Sequence, residues 1–483
     1  MIILVKIDAY ATNITYPPYG LLYVADSLEK AGYEVQILHN THLYSLDKDL
    51  KKFKKIIEKK DPLFVGCSVN TGRSTTQSAI LSESIKNNND ETPIVWGGVH
   101  PTVLPSQCVS ENYIDFVVIG EGEETTVELA QSIGGTRDIN SVRGVAYTQN
   151  NHPVVNPARP KIEELDKYGP AWHLIDIRRY LNKYQEYGAD SKRMISYLTS
   201  RGCPYRCAFC YLAVDNDRRM RYHSTERVIS EIEQLKNDYD VDAIWFNDDN
   251  FFVNTKRAFN IIHSIDLPWF GEVRIDRLAN ETFLNKLRES QCICVMSGAE
   301  SGSDRILQYI NKGITVAQTE MATKMMAKYR IPATYSFVIG FPTETWDGII
   351  QTVRFVHKLE EYYSDTPELF HSRIGFYLPY PGAPLYDIAI EYGFQPPNKT
   401  LDWGTLERYE IGLDLPWVPE IEKAKTLVNY VMRAGRARVY PRLDLKILYM
   451  LYNYRLEKEN FSFPIEIELY SFIAKKLARI LKK

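Results

Sequence analysis

The chain has 483 residues, of which 45% are hydrophobic and 25% are charged, as in ordinary globular proteins. A chain of this length exceeds what one hydrophobic core supports, so we expect two or three domains. The formal net charge of −3 provides no overall basic surface, which argues against nucleic acid as a partner.

The start of the chain and its cysteine usage indicate the compartment. The segment MIILVKIDAY is a short apolar run with a lysine inside it, which predicts a strand rather than a signal peptide. No apolar run approaches the roughly 18 residues that a membrane-spanning helix needs. Seven cysteines without a secretory signal favour a reducing compartment, so we expect a cytoplasmic protein.

Residues 1–135 alternate strand-like and helix-like segments, which predicts a doubly wound α/β domain of the flavodoxin or Rossmann type. Its five strand candidates are short, apolar and bounded by turn residues: IILVKI, YEVQIL, LFVGCS, PIVWGG and DFVVIG. Such a sheet binds ligands at the carboxyl ends of its strands. The loops PPYG, NTGRST, GGVHPT and GEGEET follow these strands and are rich in Gly, Ser and Thr, which lets the backbone approach a ligand closely.

Residues 136–190 are predicted to connect this domain to a second folded region. The sequence RGVAYTQNNHPVVNPAR predicts a β-hairpin with Asn150 and Asn151 in its turn. A polar stretch that contains proline follows the hairpin. A connector of only about 55 residues would allow the ligand-binding edges of the two flanking domains to face one another across a shared cavity.

Residues 191–400 begin a second alternation of strands and helices. The six strand candidates are MISYLTS, AIWFND, WFGEVRI, ICVMSGAE, ATYSFVIG and RIGFYLPY. Six strand–helix units are too few for a complete TIM barrel but suit a partial (β/α)6 barrel, whose chemistry gathers at the carboxyl ends of the strands. One of the intervening helices, in STERVISEIEQLKND, is predicted to begin with Ser224 or Thr225 as its N-cap.

Residues 401–483 are predicted to be mainly helical, and they are rich in tyrosine. The final segment, LYSFIAKKLARILKK, places apolar residues on one helical face and lysines and arginines around it. Packing of this helix on the barrel is the favoured interpretation. Binding to a membrane surface or to a lipid-bearing substrate is the less favoured one.

Three cysteines, Cys203, Cys207 and Cys210, lie within eight positions in SRGCPYRCAFCYL, immediately after the first barrel strand. A structural zinc site would need a fourth ligand, usually from a second pair, and no second pair with that spacing exists. A disulfide framework is excluded by the compartment and by the odd count. Three thiolates from one loop suit a [4Fe–4S] cluster with one iron left open. The other four cysteines are expected to serve packing.

This Cys-x3-Cys-x2-Cys spacing resembles the cluster motif of the radical S-adenosylmethionine (SAM) superfamily. Further segments are similar to that superfamily's strand ends, in the same order: FNDDNF, RIDRL, SGAESGSDRILQYINKGIT, FVIGFPTET and YPGAPLY. The resemblance implies that SAM chelates the open iron and that one electron cleaves it to a 5′-deoxyadenosyl radical, which abstracts hydrogen from a substrate. The SAM-binding residues that it implies are Phe209, Arg274, Glu300, Ser301, Ile339 and Gly340.

The first domain resembles the B12-binding domain that precedes many radical SAM enzymes. The segments PPYGLLYVADSLEKAGYEV, GGVHPTVLP and GEGEETTVEL carry this resemblance. The D-x-H-x-x-G motif that places a histidine under cobalt in some B12 domains is absent, and cobalamin remains the favoured ligand. His100 is interpreted as a loop or capping residue rather than as the cobalt ligand. The cobalamin-binding residues that the resemblance implies are Pro18, Gly20, Leu21, Asn70, Thr71, Gly97, Gly98, Val99, His100, Gly120, Glu121, Gly122 and Glu123.

The combined resemblance implies a cobalamin-dependent radical SAM enzyme that methylates an unactivated carbon. An sp3 carbon is not nucleophilic, so a radical formed there would take its methyl group from methylcobalamin. The first alternative is a radical SAM enzyme that forms a C–C bond or a ring without methyl transfer. A methylthiotransferase is disfavoured because it usually brings further cluster cysteines and an RNA-binding tail. The non-enzyme alternative, a cobalamin or redox sensor, leaves the cluster motif without a purpose.

The expected partners follow from the same resemblance. Members of the family act on lipids, tetrapyrroles, peptides, small metabolites and protein side chains, and the motifs do not separate these substrates. An electron donor such as flavodoxin or ferredoxin is expected. Neither nucleic acid nor, in the favoured interpretation, a membrane is a partner.

Overall fold

The computed structural model describes residues 1–8, 14–41, 45–184, 191–214, 218–406, 415–434 and 443–461. The basic amphipathic helix predicted from LYSFIAKKLARILKK lies outside these described residues. The chain forms two seven-stranded sheets and a two-stranded ribbon. Among the described residues, no helix is both long enough and apolar enough to cross a membrane.

The first sheet contains all five strands that the sequence predicts, followed by the predicted hairpin. Its strands are β1 (Ile2–Ile7), β2 (Val35–Asn40), β3 (Val65–Ser68), β4 (Ile94–Gly97), β5 (Phe116–Val118), β6 (Val145–Gln149) and β7 (His152–Val155). The strand order is β2-β1-β3-β4-β5-β6-β7, and β1 to β5 pair in parallel. This order reverses direction between β1 and β3, as in a flavodoxin-like doubly wound sheet, and it confirms the predicted fold of the first domain.

Helices cover both faces of this sheet. They are α1 (Tyr19–Lys30), α2 (Leu46–Lys60), α3 (Arg73–Lys86), α4 (Val99–Val103), α5 (Pro105–Val109) and α6 (Gly122–Ile133). Alternate residues of β1 point to opposite faces, so Ile3 and Val5 pack with α2 and α3, whereas Ile2 and Leu4 pack with α1 and α6. Because both faces are buried, the strands are continuous apolar runs.

The hairpin β6–β7 extends the first sheet by pairing antiparallel to β5. Asn150 and Asn151 form its turn with φ of +50° and +62°, the left-handed region that a type I′ hairpin turn requires. Asparagine tolerates this region better than most residues because its short polar side chain hydrogen-bonds locally. The hairpin prediction is therefore confirmed, and the structure adds that these connector residues pack as part of the first sheet.

The second sheet is the curled sheet of a half-barrel. Its strands are β8 (Asn182–Tyr184), β9 (Ser191–Tyr197), β12 (Ala243–Phe246), β13 (Trp269–Glu272), β14 (Cys292–Glu300), β15 (Ala333–Ile339) and β16 (Phe370–Phe376); the ribbon consists of β10 (Ser200–Arg201) and β11 (Arg221–Tyr222). The order is β16-β15-β14-β13-β12-β9-β8. All six predicted barrel strands are present and parallel, and β8 adds an antiparallel edge to β9.

Helices pack on the outer face of the half-barrel and form one large core with it. They are α7 (Thr225–Tyr239), α8 (Thr255–Ile265), α9 (Ile275–Leu278), α10 (Glu281–Arg288), α11 (Asp304–Tyr309), α12 (Val316–Lys328), α13 (Trp346–Glu361), α14 (Pro384–Glu391), α15 (Ile421–Ala434) and α16 (Leu443–Lys458). Ser224 caps α7 by accepting a hydrogen bond from the amide of Arg227, which confirms one of the two predicted caps.

The chain returns to the first domain after the barrel. A 3-10 helix at Thr400–Thr405 lies on that domain, where Trp403 Nε1 donates to Gln107 Oε1 at 2.9 Å. Trp403 is almost fully buried there. The segment that follows the barrel therefore packs on the first domain.

Candidate active site

The three-cysteine loop follows the first barrel strand, as the sequence predicts. Cys203, Cys207 and Cys210 are all half-buried free thiols. The loop begins at Gly202, whose φ is +96°, and a Cβ there would lie 2.7 Å from the carbonyl oxygen of Arg219. Only glycine fits this position without strain, because other residues rarely adopt this conformation and the space is filled.

Neighbouring strand ends hold the backbone of the cysteine loop. The amide of Gly202 donates to Asp249 Oδ2 at 3.1 Å, just beyond β12. The amide of Ala208 donates to the carbonyl of Ile310 at 2.8 Å, and the Ala208 carbonyl accepts from the amide of Leu385 at 3.0 Å. The loop is thus fixed by segments that follow β12, β14 and β16.

The environment of two of the three thiols, Cys203 and Cys210, favours their protonated form. Burial raises the pKa of Cys203, and it raises the pKa of Cys210 to about 11. The amides of Tyr205 and Leu212 hydrogen-bond to these two sulfurs, which favours the thiolates and opposes part of the shift. Cluster binding would therefore release protons from this loop.

The donor set fits a [4Fe–4S] cluster with one open iron, because one loop offers three thiols that bond to no other sulfur. Among the described residues, no three His, Cys, Asp or Glu side chains converge on the position of a single metal ion. Each cysteine of a four-iron cluster binds a different iron, so its ligands lie farther apart than the ligands of one ion.

Glu300 is the last residue of β14 and carries a buried carboxylate. Its Oε1 accepts from Lys312 Nζ at 2.6 Å, and its Oε2 has no hydrogen-bond partner among the described residues. The backbone of Glu300 has φ of +62°, and the pairing of β14 with β15 shifts between Gly298 and Glu300. A buried acceptor without a partner is suited to a donor such as the amino group of SAM.

Lys312 lies next to several of the predicted SAM-binding residues. Its Nζ lies 5.9 Å from the centre of the Phe209 ring, and its carbonyl accepts from Arg274 Nη2 at 3.0 Å. Arg274 in turn stacks on the ring of Tyr205 within the cysteine loop. The structure thus brings Phe209, Arg274 and Glu300 together. The sequence analysis missed Lys312, although it lies inside the quoted segment SGAESGSDRILQYINKGIT.

Ser301, Ile339 and Gly340 lie near this group but face other parts of the fold. The Ser301 hydroxyl is fully buried and lies 3.1 Å from Thr352 Oγ1 of α13, and the Ile339 side chain belongs to the outer core. Gly340 has φ of +76° and begins the turn after β15. Side-chain contacts of these residues with SAM therefore remain predictions, and a backbone contact at Gly340 is compatible with its position.

Glu344, which the sequence analysis also missed, holds the turn after β15. Its Oε2 accepts from the amides of Gly340 at 2.6 Å and Phe341 at 3.1 Å, and its Oε1 has no partner among the described residues. Burial raises the pKa of Glu344 to about 7. The sequence feature that could have identified Glu344 is its position inside the segment FVIGFPTET, which resembles a strand end of the radical SAM superfamily.

The predicted cobalamin-binding residues all lie at the carboxyl edge of the first sheet or at the helix starts that follow it. Gly98 has φ of +101°, and a Cβ there would lie 2.8 Å from the Val69 carbonyl oxygen, so the turn after β4 requires glycine. Among the residues that the structure describes, and apart from the adjacent residues in the chain, no atom lies within 4 Å of a Cβ built on Gly20 or on Gly120, so these two glycines leave open space beside the edge. An open edge lined by glycine fits a large flat ligand such as a corrin.

His100 is enclosed within the first domain. Its side chain is fully buried, its Nδ1 lies 3.2 Å from Thr71 Oγ1, and its ring meets the Trp403 ring edge to face. Burial lowers the pKa of His100 to about 4, so the imidazole is neutral. His100 lies in the first turn of α4 rather than in a loop, and Trp403 packs against its ring.

Glu121 and Glu123, which were predicted to bind cobalamin, instead have arginine partners in the second domain. Arg201 pairs with Glu123 at 2.6 Å and with Glu121 at 3.2 Å. Arg221, opposite Arg201 in the β10–β11 ribbon, donates to both oxygens of Glu121 at 2.8 Å. We call these contacts the interdomain ion pairs. They join the loop after β5 to the ribbon that immediately precedes Cys203.

Comparison with protein families gives two matches in the same order as the two domains. Residues 9–130 match the B12 binding domain, and residues 197–356 match the radical SAM superfamily. The second match begins at the end of β9 and includes the three cysteines, Glu300 and Lys312. The first match contains the glycine-rich loops of the first sheet.

Individual relatives agree with these matches. An uncharacterised methyltransferase of Pyrococcus horikoshii is 34% identical over 383 residues, which cover 78% of this chain and 79% of the relative. An anaerobic magnesium-protoporphyrin IX monomethyl ester cyclase of Rubrivivax gelatinosus is 28% identical over 351 residues, covering 70% of this chain and 61% of the cyclase.

Among solved structures, the radical SAM methyltransferase TsrM from Kitasatospora setae, with cobalamin and a [4Fe–4S] cluster bound, has the same fold. It aligns with a TM-score of 0.63 and 19% identity, and the alignment covers 81% of this chain and 75% of TsrM. Two successive family matches and a relative above 30% identity over most of both chains establish the relationship. The chain belongs to the radical SAM enzymes that carry an N-terminal B12-binding domain.

Proposed function

We propose that this enzyme transfers a methyl group to an unactivated carbon of its substrate, with SAM, a [4Fe–4S] cluster and cobalamin as cofactors. The observation that carries the proposal is the set of interdomain ion pairs. Because they join the loop after β5 to the ribbon before Cys203, the carboxyl ends of the two sheets meet at one place. The 34% identity to a methyltransferase supports methyl transfer as the reaction.

Each domain contributes binding groups to the region where the carboxyl ends of the two sheets meet. Cys203, Cys207 and Cys210 hold the cluster, while Glu300 and Lys312 take the amino and carboxylate groups of SAM as a charged pair. The open loop edges at Gly20 and Gly120 hold cobalamin. When bound, the cluster with SAM supplies a hydrogen-abstracting carbon radical and cobalamin supplies a methyl group.

The protein itself provides proximity. A carbon radical must be captured before it meets another hydrogen donor, so the methyl source has to be held close to the substrate carbon. The interdomain ion pairs are largely buried, and buried charge pairs are costly to break once formed. They fix the distance between the two binding edges in a way that a connector alone would not.

The substrate and the electron donor are proposed only by class. A radical SAM enzyme needs a one-electron donor, and a small low-potential protein such as flavodoxin or ferredoxin suits this role. The substrate offers an unactivated carbon–hydrogen bond. Ring closure without methyl transfer is the second candidate function, because the chain is 28% identical to a cyclase over 70% of its length.

Product stoichiometry tests methyl transfer. The full chain is reconstituted anaerobically with iron, sulfide and cobalamin, and is then incubated with fractionated cell extract and SAM whose methyl group is trideuterated. Methylation produces a labelled product with equal amounts of S-adenosylhomocysteine and 5′-deoxyadenosine, and it stops when cobalamin is omitted. A new product accompanied by 5′-deoxyadenosine but no S-adenosylhomocysteine would exclude methyl transfer and favour the alternative that forms a C–C bond or a ring without it.

A further inference from the structure

Asp249 contacts both ends of the cysteine loop. Its Oδ2 accepts from the amide of Gly202, immediately before Cys203, at 3.1 Å. The hydroxyl of Tyr211, immediately after Cys210, also hydrogen-bonds to the Asp249 carboxylate. One carboxylate therefore closes the loop and places a negative charge beside two of the three sulfurs.

Asn250 lies beside the same loop, but it offers a hydrogen-bond donor where Asp249 offers a negative charge. This side chain is buried, and its interaction with Cys203 favours the thiolate form of that sulfur. An amide N–H that donates to a sulfur stabilises negative charge on that sulfur. Asp249 and Asn250 lie three and four residues beyond Phe246, the last residue of β12, so the segment after one strand brings both groups to the cluster site.

The neighbouring Asp248 has a different set of partners. Its Oδ1 accepts from the amide of Thr199 at 3.0 Å, from the Thr199 hydroxyl at 2.9 Å and from the Ser200 hydroxyl. Asp248 thus organises the turn before the ribbon rather than the ends of the cysteine loop. Of the four polar residues that follow β12, Asn247 to Asn250, Asp249 contacts the loop itself and Asn250 interacts with a cysteine sulfur.

The reduction potential of an iron–sulfur cluster depends on net charge around it and on hydrogen bonds to its sulfurs. Accepting an electron makes the cluster more negative. A fixed carboxylate nearby opposes reduction, whereas an N–H donor to a ligand sulfur favours it. The electrostatic effect of a buried charge is large because the surrounding dielectric screens it weakly.

We propose that Asp249 and Asn250 are positioning residues that set the reduction potential of the cluster in opposite directions, Asp249 lowering it and Asn250 raising it. The reaction concerned is the transfer of one electron from a low-potential donor to the oxidised cluster, with no bond made or broken. The proposal rests on the three cysteines being the cluster ligands and does not depend on methyl transfer.

The test compares three variants of the reconstituted full chain with the unaltered protein. Asp249→Asn removes the charge and keeps an acceptor for Gly202, while Asn250→Ala removes the donor to Cys203. The matched control is Asp242→Asn, because Asp242 accepts from the amide of Arg193 at the opposite end of β12. Dithionite titration in the presence of mediator dyes, followed by electron paramagnetic resonance, gives the midpoint potential of each cluster.

The expected shifts have opposite signs. Asp249→Asn moves the midpoint to more positive values and Asn250→Ala moves it to more negative values. Each shift corresponds to about a tenfold change in the reduction equilibrium, or about 59 mV for one electron. The Asp242→Asn control leaves the potential unchanged, and iron content stays the same in all four proteins.

Several outcomes overturn the proposal. Unshifted potentials, or shifts of equal sign, in variants with full iron content would show that neither residue tunes the cluster. If Asp249→Asn loses iron, Asp249→Glu is the second variant, because it restores the charge. Loss of iron in both, with Asn250→Ala unshifted, would show that the pair only builds the loop. An unaltered protein that binds no cluster would instead refute the cysteine ligands themselves.

Discussion

Glu300 has a backbone conformation that residues other than glycine rarely adopt, with φ of +62° at the end of β14. Such conformations persist only where the surrounding structure enforces them, and they concentrate at functional sites. Burial opposes the charge of Lys312, yet the Glu300 carboxylate raises the pKa of Lys312 above its ordinary value. Lys312 therefore remains protonated at neutral pH.

Glu300→Gln tests this pair directly. The variant keeps the cluster but binds SAM more weakly, because a charge-assisted hydrogen bond becomes a neutral one. The expected loss is about 1–2 kcal/mol, or roughly five- to thirtyfold in affinity, measured by equilibrium binding to the reconstituted protein. Glu320→Gln on α12 is the control, since Glu320 binds Lys358 and Tyr362 on the outer surface. Unchanged SAM affinity in Glu300→Gln would exclude this role.

A second prediction at the scale of single residues concerns the three cysteine ligands. Changing Cys203, Cys207 and Cys210 together to alanine removes bound iron and SAM cleavage, because all three protein ligands of the cluster are lost. Cys292 and Cys294 of β14 form the matched comparison. Burial raises the pKa of Cys292 far above its ordinary value, which disfavours a metal-binding thiolate. Iron analysis should therefore find a full cluster without this pair, and full iron in the triple variant would refute the assignment.

At the scale of elements, the turn after β15 depends on the protonation of Glu344. Burial raises the pKa of this carboxyl from 4.5 to about 7 in the folded chain. The protonated form is therefore favoured by folding, and its stabilising contribution is complete below about pH 4.5. It is lost as the pH rises through about 7, at about 1.4 kcal/mol per pH unit within this window.

Glu344→Gln removes this pH dependence. The glutamine oxygen still accepts from Gly340 and Phe341 but does not ionise, so the variant gains stability relative to the unaltered chain as the pH rises from 5 to 7. Thermal unfolding at both pH values measures the difference between the two proteins. A constant difference across this range would show that Glu344 does not titrate there.

At the scale of the whole molecule, the interdomain ion pairs hold two separately folded sheets in one arrangement. Replacing Glu121 and Glu123 by alanine leaves Arg201 and Arg221 in the interface without carboxylate partners. Removing one side of a buried pair costs about 3–5 kcal/mol. We expect faster proteolysis within the connector and lost turnover, with iron content unchanged. Glu29→Ala is the control, because Glu29 meets His173 of the connector in an exposed pair. Equal proteolysis of the two variants would contradict the role of the ion pairs.

The sequence by itself determined the parallel strands of both sheets and their order along the chain. Short apolar runs bounded by turn residues predicted every parallel strand, since burial on both faces demands continuous apolar residues. Asn150 and Asn151 predicted the hairpin turn because the conformation they adopt is a local property. The spacing of the three cysteines likewise indicated a cluster, because ligands from a single loop are close in sequence as well as in space.

Only the tertiary structure decided which polar side chains meet. Glu123 and Arg201 are 78 residues apart and Trp403 reaches His100 from another part of the chain, so no local pattern predicted either contact. The resemblance implied cobalamin contacts for Glu123 and His100, and the fold adds contacts of these two residues with an arginine and a tryptophan. Such pairings depend on how the two domains pack, because a buried charge needs a partner wherever packing brings one within reach.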